Sequence, residues 1–264
     1  MNPVSPLTYY RRHKRSALAL VALICLATLG VAVMVRLLDS SAEKYEATES
    51  YLTRLSLVYA RGDSFDQGVV SRVQTHPDVA GTIPARSLWV TVPMFGGLPS
   101  SYPLFGISEA DLPELLATCD LQLREGRLPG ARTNEVMLSE ELAEALGLVV
   151  GDAIGRSVDE RAFDSFPTTM ELVGILESGA GPRVLVGLAS YEYLDSHEAY
   201  MHLPPELLVV ARAGRKAEVE QFLETVISSP RTEVWTRQRV DASIAEALTL
   251  YPVSYTHLTL PTNV

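Results

Sequence analysis

The sequence is poor in the residues that form disulfide bonds or bind transition metals. Its 264 residues include two cysteines and five histidines. Cys25 lies within a long apolar run and Cys119 lies far from it, so we expect no disulfide bond between them. The chain has no C-x-x-C pair and no group of histidines, which argues against a structural zinc site. We therefore expect no metal and no cofactor, and a fold that is held together by packing alone.

Sequence motifs of common enzymes are also missing. There is no G-x-x-x-x-G-K-S/T, so we expect the chain not to hydrolyse ATP itself. G-x-S-x-G and H-E-x-x-H are absent as well. His197 and His202 lie near each other beside Glu198, where a metal site is one interpretation, although exposed or hydrogen-bonded loop residues are the favoured one. The sequence predicts no catalytic residue.

Positive charge is scarce outside one short segment. Lysine and arginine number 22 against 32 aspartates and glutamates, which gives a formal net charge of −10. The rest of the chain is more acidic than this total suggests, because several basic residues cluster near the start. Nucleic acid binding needs clustered lysine and arginine on a surface, so we expect no nucleic acid partner. The clustered basic residues are Arg11, Arg12, Lys14 and Arg15.

What the chain does have is an uncharged apolar run over residues 17–35, with Thr28 as its one polar side chain. As a helix the run would be roughly 28 Å long, which is close to the thickness of the bilayer hydrocarbon core. Because lysine and arginine beside a span stay on the cytoplasmic side, the basic cluster predicts a cytoplasmic N-terminus and an outer chain from Asp39 onward. A cleaved signal peptide is the alternative, but the apolar run is longer than usual and no A-x-A site follows.

The segments after the apolar run predict a mixture of helices and strands. Residues 39–58 contain good helix formers without glycine or proline, which predicts a helical stalk that continues the span. Asp63 or Ser64 is expected to cap a second helix, which buries Phe65, Val69, Val70 and Val73 and ends at His76-Pro77. Residues 79–107 are expected to form strands with a long loop over 92–103. Its apolar residues Met94, Phe95, Leu98, Tyr102 and Phe105 form a partner surface or, as we favour, pack inward.

The second half of the chain has the same mixed character. A short helix is expected over residues 108–116. Strands are expected over 206–211 and 233–236. Residues 216–227 place Val219, Phe222, Leu223 and Val226 on one face of an amphipathic helix, and residues 241–250 form a last helix.

Residues 121–155 carry the most specific pattern. A turn at Gly126-Arg127 and Pro129 leads to a short strand that begins at Glu135-Val136. Ser139 is expected to cap a helix whose first turn is acidic, and Gly147 is expected to end it in the left-handed conformation. The pattern consists of Gly126, Arg127, Pro129, Glu135, Val136, Ser139, Glu140, Leu142, Ala143, Leu146, Gly147, Gly151 and Asp152.

This pattern resembles the extracytoplasmic domain of MacB/FtsX-type ABC transporter permeases, in which a basic N-terminus and one transmembrane helix precede a large ectodomain. The resemblance covers residues 9–250, and it implies strands over 170–176 and 183–188. It implies an α+β fold: a transmembrane helix with a helical stalk and a mixed α/β extracytoplasmic domain in two lobes. One lobe would contain residues 64–90 and 205–236, and a β-rich insertion at about 92–203 would form the other. The pattern residues would then be structural.

The same resemblance implies a function. The chain would belong to the membrane subunit of an ABC transporter in the bacterial inner or plasma membrane, working with a separate cytoplasmic ATPase and assembled as a dimer. Its ectodomain would couple helix motion to export, lipoprotein release or another task, with an outer protein as a further partner. A membrane-anchored sensor or receptor and a single-span binding or scaffold protein remain as alternatives. The expected division is a cytoplasmic segment 1–15, a transmembrane helix 16–38 and an outer domain 39–250.

The last residues, 251–264, do not fit this pattern. The stretch PVSYTHLTLPT at residues 252–262 can be encoded by DNA that resembles a transposon-end sequencing adapter. We expect this tail to be non-native and assign no role to His257, whereas a genuine tail is the alternative.

Overall fold

The apolar run near the N-terminus lies within one long helix, α1 (Lys14–Thr48). Alanine and leucine, which favour helices, make up much of it. The side chains from Leu18 to Met34 are exposed. Among the described residues, no helix combines the length and the apolar character needed to cross a membrane.

The protein is described by a computed structural model, and its chain divides into two compact units, residues 1–45 and 46–264. The first unit contains most of α1, and the second contains every strand given below. The described residues are 14–48, 50–62, 64–93, 99–155, 167–180 and 183–243.

The predicted stalk is wrong beyond Thr48, where α1 ends. A 3-10 turn, Ser50–Thr53, and strand β1, Leu55–Ala60, follow instead. Five of the six residues of β1 are buried, and β1 pairs with a strand on each side. Tertiary strand pairing therefore outweighs the helix propensity of this segment.

Short helices and strands alternate through the second unit. Helix α2 is capped by Asp66, whose carboxylate accepts a hydrogen bond from the Gly68 N–H at 2.7 Å, so it begins later than predicted. The helices are α2 (Gln67–Gln74), α3 (Leu112–Cys119), α4 (Glu140–Leu146), α5 (Tyr191–Ser196) and α6 (Lys216–Phe222). The remaining strands are β2 (Val79–Pro93), β3 (Pro99–Ile107), β4 (Leu121–Gly126), β5 (Glu135–Ser139), β6 (Ala153–Ile154), β7 (Met170–Ser178), β8 (Gly187–Ser190), β9 (Glu206–Ala211) and β10 (Thr232–Trp235).

In the described part of the chain these strands form one mixed sheet. Its order is β10-β1-β9-β2-β3-β8-β5-β7-β4, with β6 beside β7. The β3–β8 and β5–β7 pairs are parallel and the other pairs are antiparallel. Strand β2 pairs with β9 along its first part and with β3 along its second. It therefore belongs to both halves of the sheet.

Three apolar clusters hold the sheet. One covers a face common to both halves and includes Tyr51, Leu57 and Phe105. A second lies on the opposite face of the β3–β7 half, under α4 and α5, and the third lies under α2 and α6 on the β1–β9 half. Both faces of the sheet are covered by apolar packing, as expected for an α+β domain.

The predicted loop over residues 92–103 is wrong at both ends, and its middle, residues 94–98, lies outside the described residues. Strands β2 and β3 pair continuously from Arg86↔Gly106 to Pro93↔Pro99. The prolines are tolerated because β3 pairs with β8 only from Leu104 onward, which leaves one side of Pro103 free of a ladder. The aromatic residues of this segment do pack inward, as Tyr102 and Phe105 are buried. Met94, Phe95 and Leu98 lie outside the described residues.

Two further elements differ from the prediction. Residues 183–186 form no strand. Their backbone groups bond to side chains or to single backbone groups rather than to a continuous neighbouring strand; the Leu185 N–H, for example, donates to Ser50 Oγ at 3.1 Å. Helix α6 ends in a π-helical turn, Leu223–Ile227. This wider turn buries Ile227 and leaves Val226 exposed, whereas the sequence predicted Val226 on the buried face.

Other predicted strands are confirmed, including the central strand β9 and the strands β5, β7 and β10. Residues 237–243 are helical, and the rest of the predicted last helix, residues 244–250, lies outside the described residues. The adapter-like tail, residues 251–264, does as well. The division into two lobes stays a prediction.

Candidate functional site

An ion pair bridges the turn between β4 and β5 in residues 121–155, the segment that carries the sequence pattern. Two Arg127 guanidinium nitrogens donate to the Glu135 carboxylate at 2.7 and 2.5 Å. The Gly130 N–H donates to the same carboxylate at 2.8 Å. The Arg127 hydrogen bond lowers the pKa of Glu135 to about 2, against an opposing effect of partial burial. The pair therefore joins the end of β4 to the start of β5 and encloses the buried Pro129.

Two glycines allow β4 and β7 to approach closely. Gly126 has a φ of 83°, and a Cβ there would collide with the Val173 carbonyl oxygen. The Arg127 N–H donates to that same oxygen at 2.9 Å. A Cβ on Gly174 would lie 2.6 Å from the Arg127 carbonyl oxygen. The close backbone contact therefore needs glycine at both positions.

The helix of this segment is built nearly as predicted. Leu142 and Ala143 are buried, and Gly147 ends α4 with a φ of 67°. Ser139 is the N-cap residue by position, but its hydroxyl makes no capping bond. Its Oγ is buried without a partner, because Ser139 is also the last residue of the buried strand β5. The predicted side-chain cap is therefore wrong.

The last part of the segment also joins β7. The Gly151 N–H donates to the Leu172 carbonyl oxygen at 2.7 Å, and the Leu172 N–H donates to the Asp152 carbonyl oxygen at 2.8 Å. The Asp152 carboxylate accepts a bond from the Val149 N–H at 2.9 Å. Residues from both ends of the pattern therefore bond to Leu172 and Val173 of one strand. We call Gly126, Arg127, Gly151 and Asp152 the brace, because their backbones contact Leu172 and Val173 of β7.

The residues expected to set topology and the two histidines are placed as follows. Arg11 and Arg12 lie outside the described residues, Lys14 is the first residue of α1 and Arg15 is exposed. The His197 Nδ1 accepts a hydrogen bond from the Ala199 N–H at 3.2 Å, and His202 is exposed. Within the described residues, no group of three or more histidine, cysteine, aspartate or glutamate side chains could hold a metal ion.

The structure also contains a groove that the sequence did not predict. Its volume is about 1290 Å³. It lies where β9 begins, between the ends of β1 and β10 and the middle of β2. We call it the edge groove; residues that line it include Tyr59, Ser87, Trp89, Met201, Glu206 and Trp235.

Glu206 is the buried carboxyl group of the edge groove. It is 2% exposed, and the Ser87 hydroxyl donates to its Oε1. Burial raises its pKa to about 7, although hydrogen bonds from the Ser87 side chain and backbone oppose the shift. Its Oε2 is buried and has no partner. Sequence reasoning placed Glu206 in an apolar strand and missed it; the signal was a glutamate that begins the run ELLVVA.

Comparison with solved structures finds similar domains, three of which follow. The chain is similar to extracytoplasmic domains of transporters. The periplasmic region of MacB from Actinobacillus actinomycetemcomitans is 11% identical with a TM-score of 0.42, over 76% of this chain and 98% of that chain. The extracellular domain of the noncanonic ABC-type transporter YknZ from Gram-positive bacteria is 12% identical with a TM-score of 0.39, over 69% and 99%.

A domain of a protein described as a permease, from Porphyromonas gingivalis, is 13% identical with a TM-score of 0.35, over 70% of this chain and 90% of that chain. No protein-family model matches the sequence, and no curated protein matches it.

Proposed function

We propose that this chain belongs to the membrane subunit of a bacterial ABC-type transporter, with its α+β domain on the outer side of the plasma membrane. The observation that carries the proposal is the brace around β7. Pattern residues that are far apart in sequence, Arg127 and Gly151, bond to adjacent residues of that strand. The sequence pattern therefore corresponds to one compact structural unit. This unit follows an apolar N-terminal helix, which is the order expected of a permease.

Membrane anchoring by α1 is part of this proposal. The described side chains from Leu18 to Met34 are exposed, and Leu18, Leu23 and Leu26 are at least 64% exposed. Such a continuous apolar surface is unfavourable in water and favourable in lipid. The exposed side chains of residues 18–34 span about 26 Å of helix. The uncharged run in the sequence, residues 17–35, extends one residue further at each end. The basic residues before it support a cytoplasmic N-terminus.

The chain's own residues suggest how movement would reach the outer domain. Ser50, Tyr51 and Leu52 follow shortly after α1 and are all buried. The Tyr51 ring packs edge-to-face on Phe105 with 5.5 Å between ring centroids. We propose that this buried turn, rather than a longer helix, transmits helix motion to the outer domain. ATP hydrolysis would occur in a separate cytoplasmic subunit, and two copies of the membrane subunit would form a dimer.

A labelling experiment tests the proposed topology. In a Cys25→Ser, Cys119→Ser background, Leu128→Cys places a thiol at an exposed site of the outer domain, and Ser5→Cys places one before the basic cluster. We expect a membrane-impermeant maleimide to label Leu128→Cys in intact cells and Ser5→Cys only after the membrane is permeabilised. Release of the chain by alkaline carbonate, or labelling of Ser5→Cys in intact cells, would contradict the proposal.

A further inference from the structure

The edge groove follows an edge of β2 that has no neighbouring strand. The β2–β9 ladder ends at Ala85↔Glu206, where β9 begins. Strand β2 continues to Pro93 and pairs with β3 on its other side. Among the described residues, no strand pairs with the β9 side of β2 beyond Ala85. An open edge of this kind is a template for another strand.

The lining of the groove indicates that it runs along this edge. Four consecutive residues of β2, numbered 86–89, line it. Because successive side chains of a strand point to opposite faces, a groove that meets all four passes beside the backbone. Ser87 lies two residues from Trp89, which is opposite Pro103 in the β2–β3 ladder. Because proline has no N–H, these are positions without hydrogen bonds to β3, so the main chain of Ser87 points into the groove. By the alternation of an antiparallel ladder, the main chain of Trp89 points the same way.

The side chains of the groove leave one acceptor unused. Arg61 pairs with Glu233 at 3.2 Å, and Arg86 pairs with Asp195 at 2.6 Å. Glu206 also lines the groove, and its buried Oε2 has no hydrogen-bond partner. A buried carboxylate oxygen without a donor is unfavourable, so a ligand that supplies a donor gains free energy there. The acidic character of the chain also favours a cationic group.

Aromatic side chains lie on the same face as this carboxylate. Tyr59 and Ala85 are both directly opposite Glu206 in the strand ladders, and Trp89 follows Ala85 at an even spacing. Trp235 is opposite Leu57, two residues from Tyr59, so it shares this face. Trp89 is 38% exposed. Aromatic walls of this kind pack on the stem of a long basic side chain.

We propose that the edge groove binds an extended polypeptide segment, which adds a strand to the open edge of β2 at Ser87 and Trp89 and presents a lysine or arginine side chain to Glu206. Strand addition supplies main-chain hydrogen bonds, and the side-chain pocket supplies specificity. The groove is larger than the roughly 300–1,000 Å³ of most small-molecule sites, which favours a peptide over a small cation. This assignment does not depend on the proposed transporter role.

The two tryptophans provide a direct readout. They are Trp89 and Trp235, the chain has no others, and both line the groove. Tryptophan fluorescence of the full chain in detergent therefore reports on this site alone. The probe is a short blocked peptide of alternating threonine and valine with a central lysine. Matched probes carry norleucine in place of lysine, or N-methyl groups on the backbone amides that would pair with β2; n-hexylammonium is the small-cation probe.

We expect saturable binding of the lysine peptide, with affinity reduced at least about tenfold by Glu206→Gln, by norleucine and by N-methylation. Glu233→Gln is the matched control, because Glu233 lines the same groove but is paired with Arg61, and it should change affinity less than about threefold. Unfolding curves show whether each variant is folded, and the two altered peptides test the proposal without changing the protein. No binding, equal affinity for the lysine and norleucine peptides, or n-hexylammonium binding as tightly as the peptide would overturn it.

Discussion

Glu206 is a buried residue whose ionisation affects stability. Its pKa in the folded chain is about 7, above its ordinary value of 4.5. Between these values the folded state binds more protons than the unfolded state, so the free energy of unfolding falls as pH rises through this window. The carboxyl group is therefore tolerated when protonated and is destabilising when ionised.

Glu206→Gln should remove this dependence. A glutamine keeps an acceptor for Ser87 and carries no charge, so its stability relative to wild type should increase by on the order of 1–3 kcal/mol between about pH 5 and about pH 8. Urea unfolding of the full chain in detergent, followed by tryptophan fluorescence, measures the difference. Glu233→Gln serves as the control, and its difference from wild type should change little over this range. A pH-independent difference for Glu206→Gln would show that Glu206 does not titrate in this window.

Residue-scale prediction from sequence succeeded where the cause is local. Gly147 was predicted in the left-handed conformation because it follows a short helix, and its φ of 67° confirms this. Glu206 and Ser139 could not be predicted in the same way. Their burial comes from strands that lie far away in sequence, and nothing in ELLVVA or EVMLS shows which neighbours will surround the polar atom.

At the scale of elements, two glycines with a positive φ in residues 121–155 should respond differently to substitution. A methyl group added at Gly147 would lie in open space, whereas the same group at Gly126 would overlap the Val173 carbonyl oxygen. Gly147→Ala should therefore cost about 1 kcal/mol, which is the strain of a left-handed alanine. Gly126→Ala should cost about 3 kcal/mol or more, because β4 and β7 must also separate.

Chemical denaturation of the two variants compares them directly. Each carries the same added methyl group at a positive φ, so the difference between them isolates the close contact of β4 with β7. Equal destabilisation would mean that this contact does not constrain the segment.

Element boundaries show which interactions cannot be predicted from the local sequence. The helix propensity of residues 39–58 predicted a helix, but burial and pairing on both sides made Leu55–Ala60 a strand. Prolines predicted a loop at residues 92–103, but the open side of Pro103 lets the strands continue. In both cases a partner strand distant in sequence decided the local structure.

At the scale of the whole molecule, the proposed coupling depends on a stiff connection between α1 and the buried turn after it. Insertion of Gly-Gly after Thr48 should uncouple the two in the complete transporter, since glycine makes a flexible link. We expect ATP hydrolysis by the partner subunit to continue while transport falls at least about tenfold. Ala-Ala at the same site is the control, because it adds the same length with a strong helix former.

Transport and ATP hydrolysis measured on the same membranes decide the outcome. Unchanged transport in the Gly-Gly variant would contradict the coupling proposal. An equal loss in the Ala-Ala variant would show that length or register, rather than stiffness, is what matters.

The general fold class could be predicted from sequence, but the sheet order could not. The residues predicted a mixture of helices and strands, the resemblance implied an α+β domain, and the strands β5, β7, β9 and β10 lie where expected. The order β1-β9-β2 places a late strand between two early ones. Periodicity shows that a strand has a buried face but does not identify its neighbours. The edge groove could not be predicted for this reason, as it exists only because β9 begins beside the middle of β2.

The position of β1 in the sheet has a consequence for biosynthesis. Both of its neighbours, β9 and β10, are made only near the end of the described chain, long after β1 itself. If the domain crosses a membrane as it is synthesised, β1 emerges first and waits with both edges unpaired until Trp235 has followed. Such a strand is exposed to misassembly throughout that interval, because contacts distant in sequence form late. Secretion of this domain should therefore depend on chaperones at the exit side that cover an early, unpaired strand.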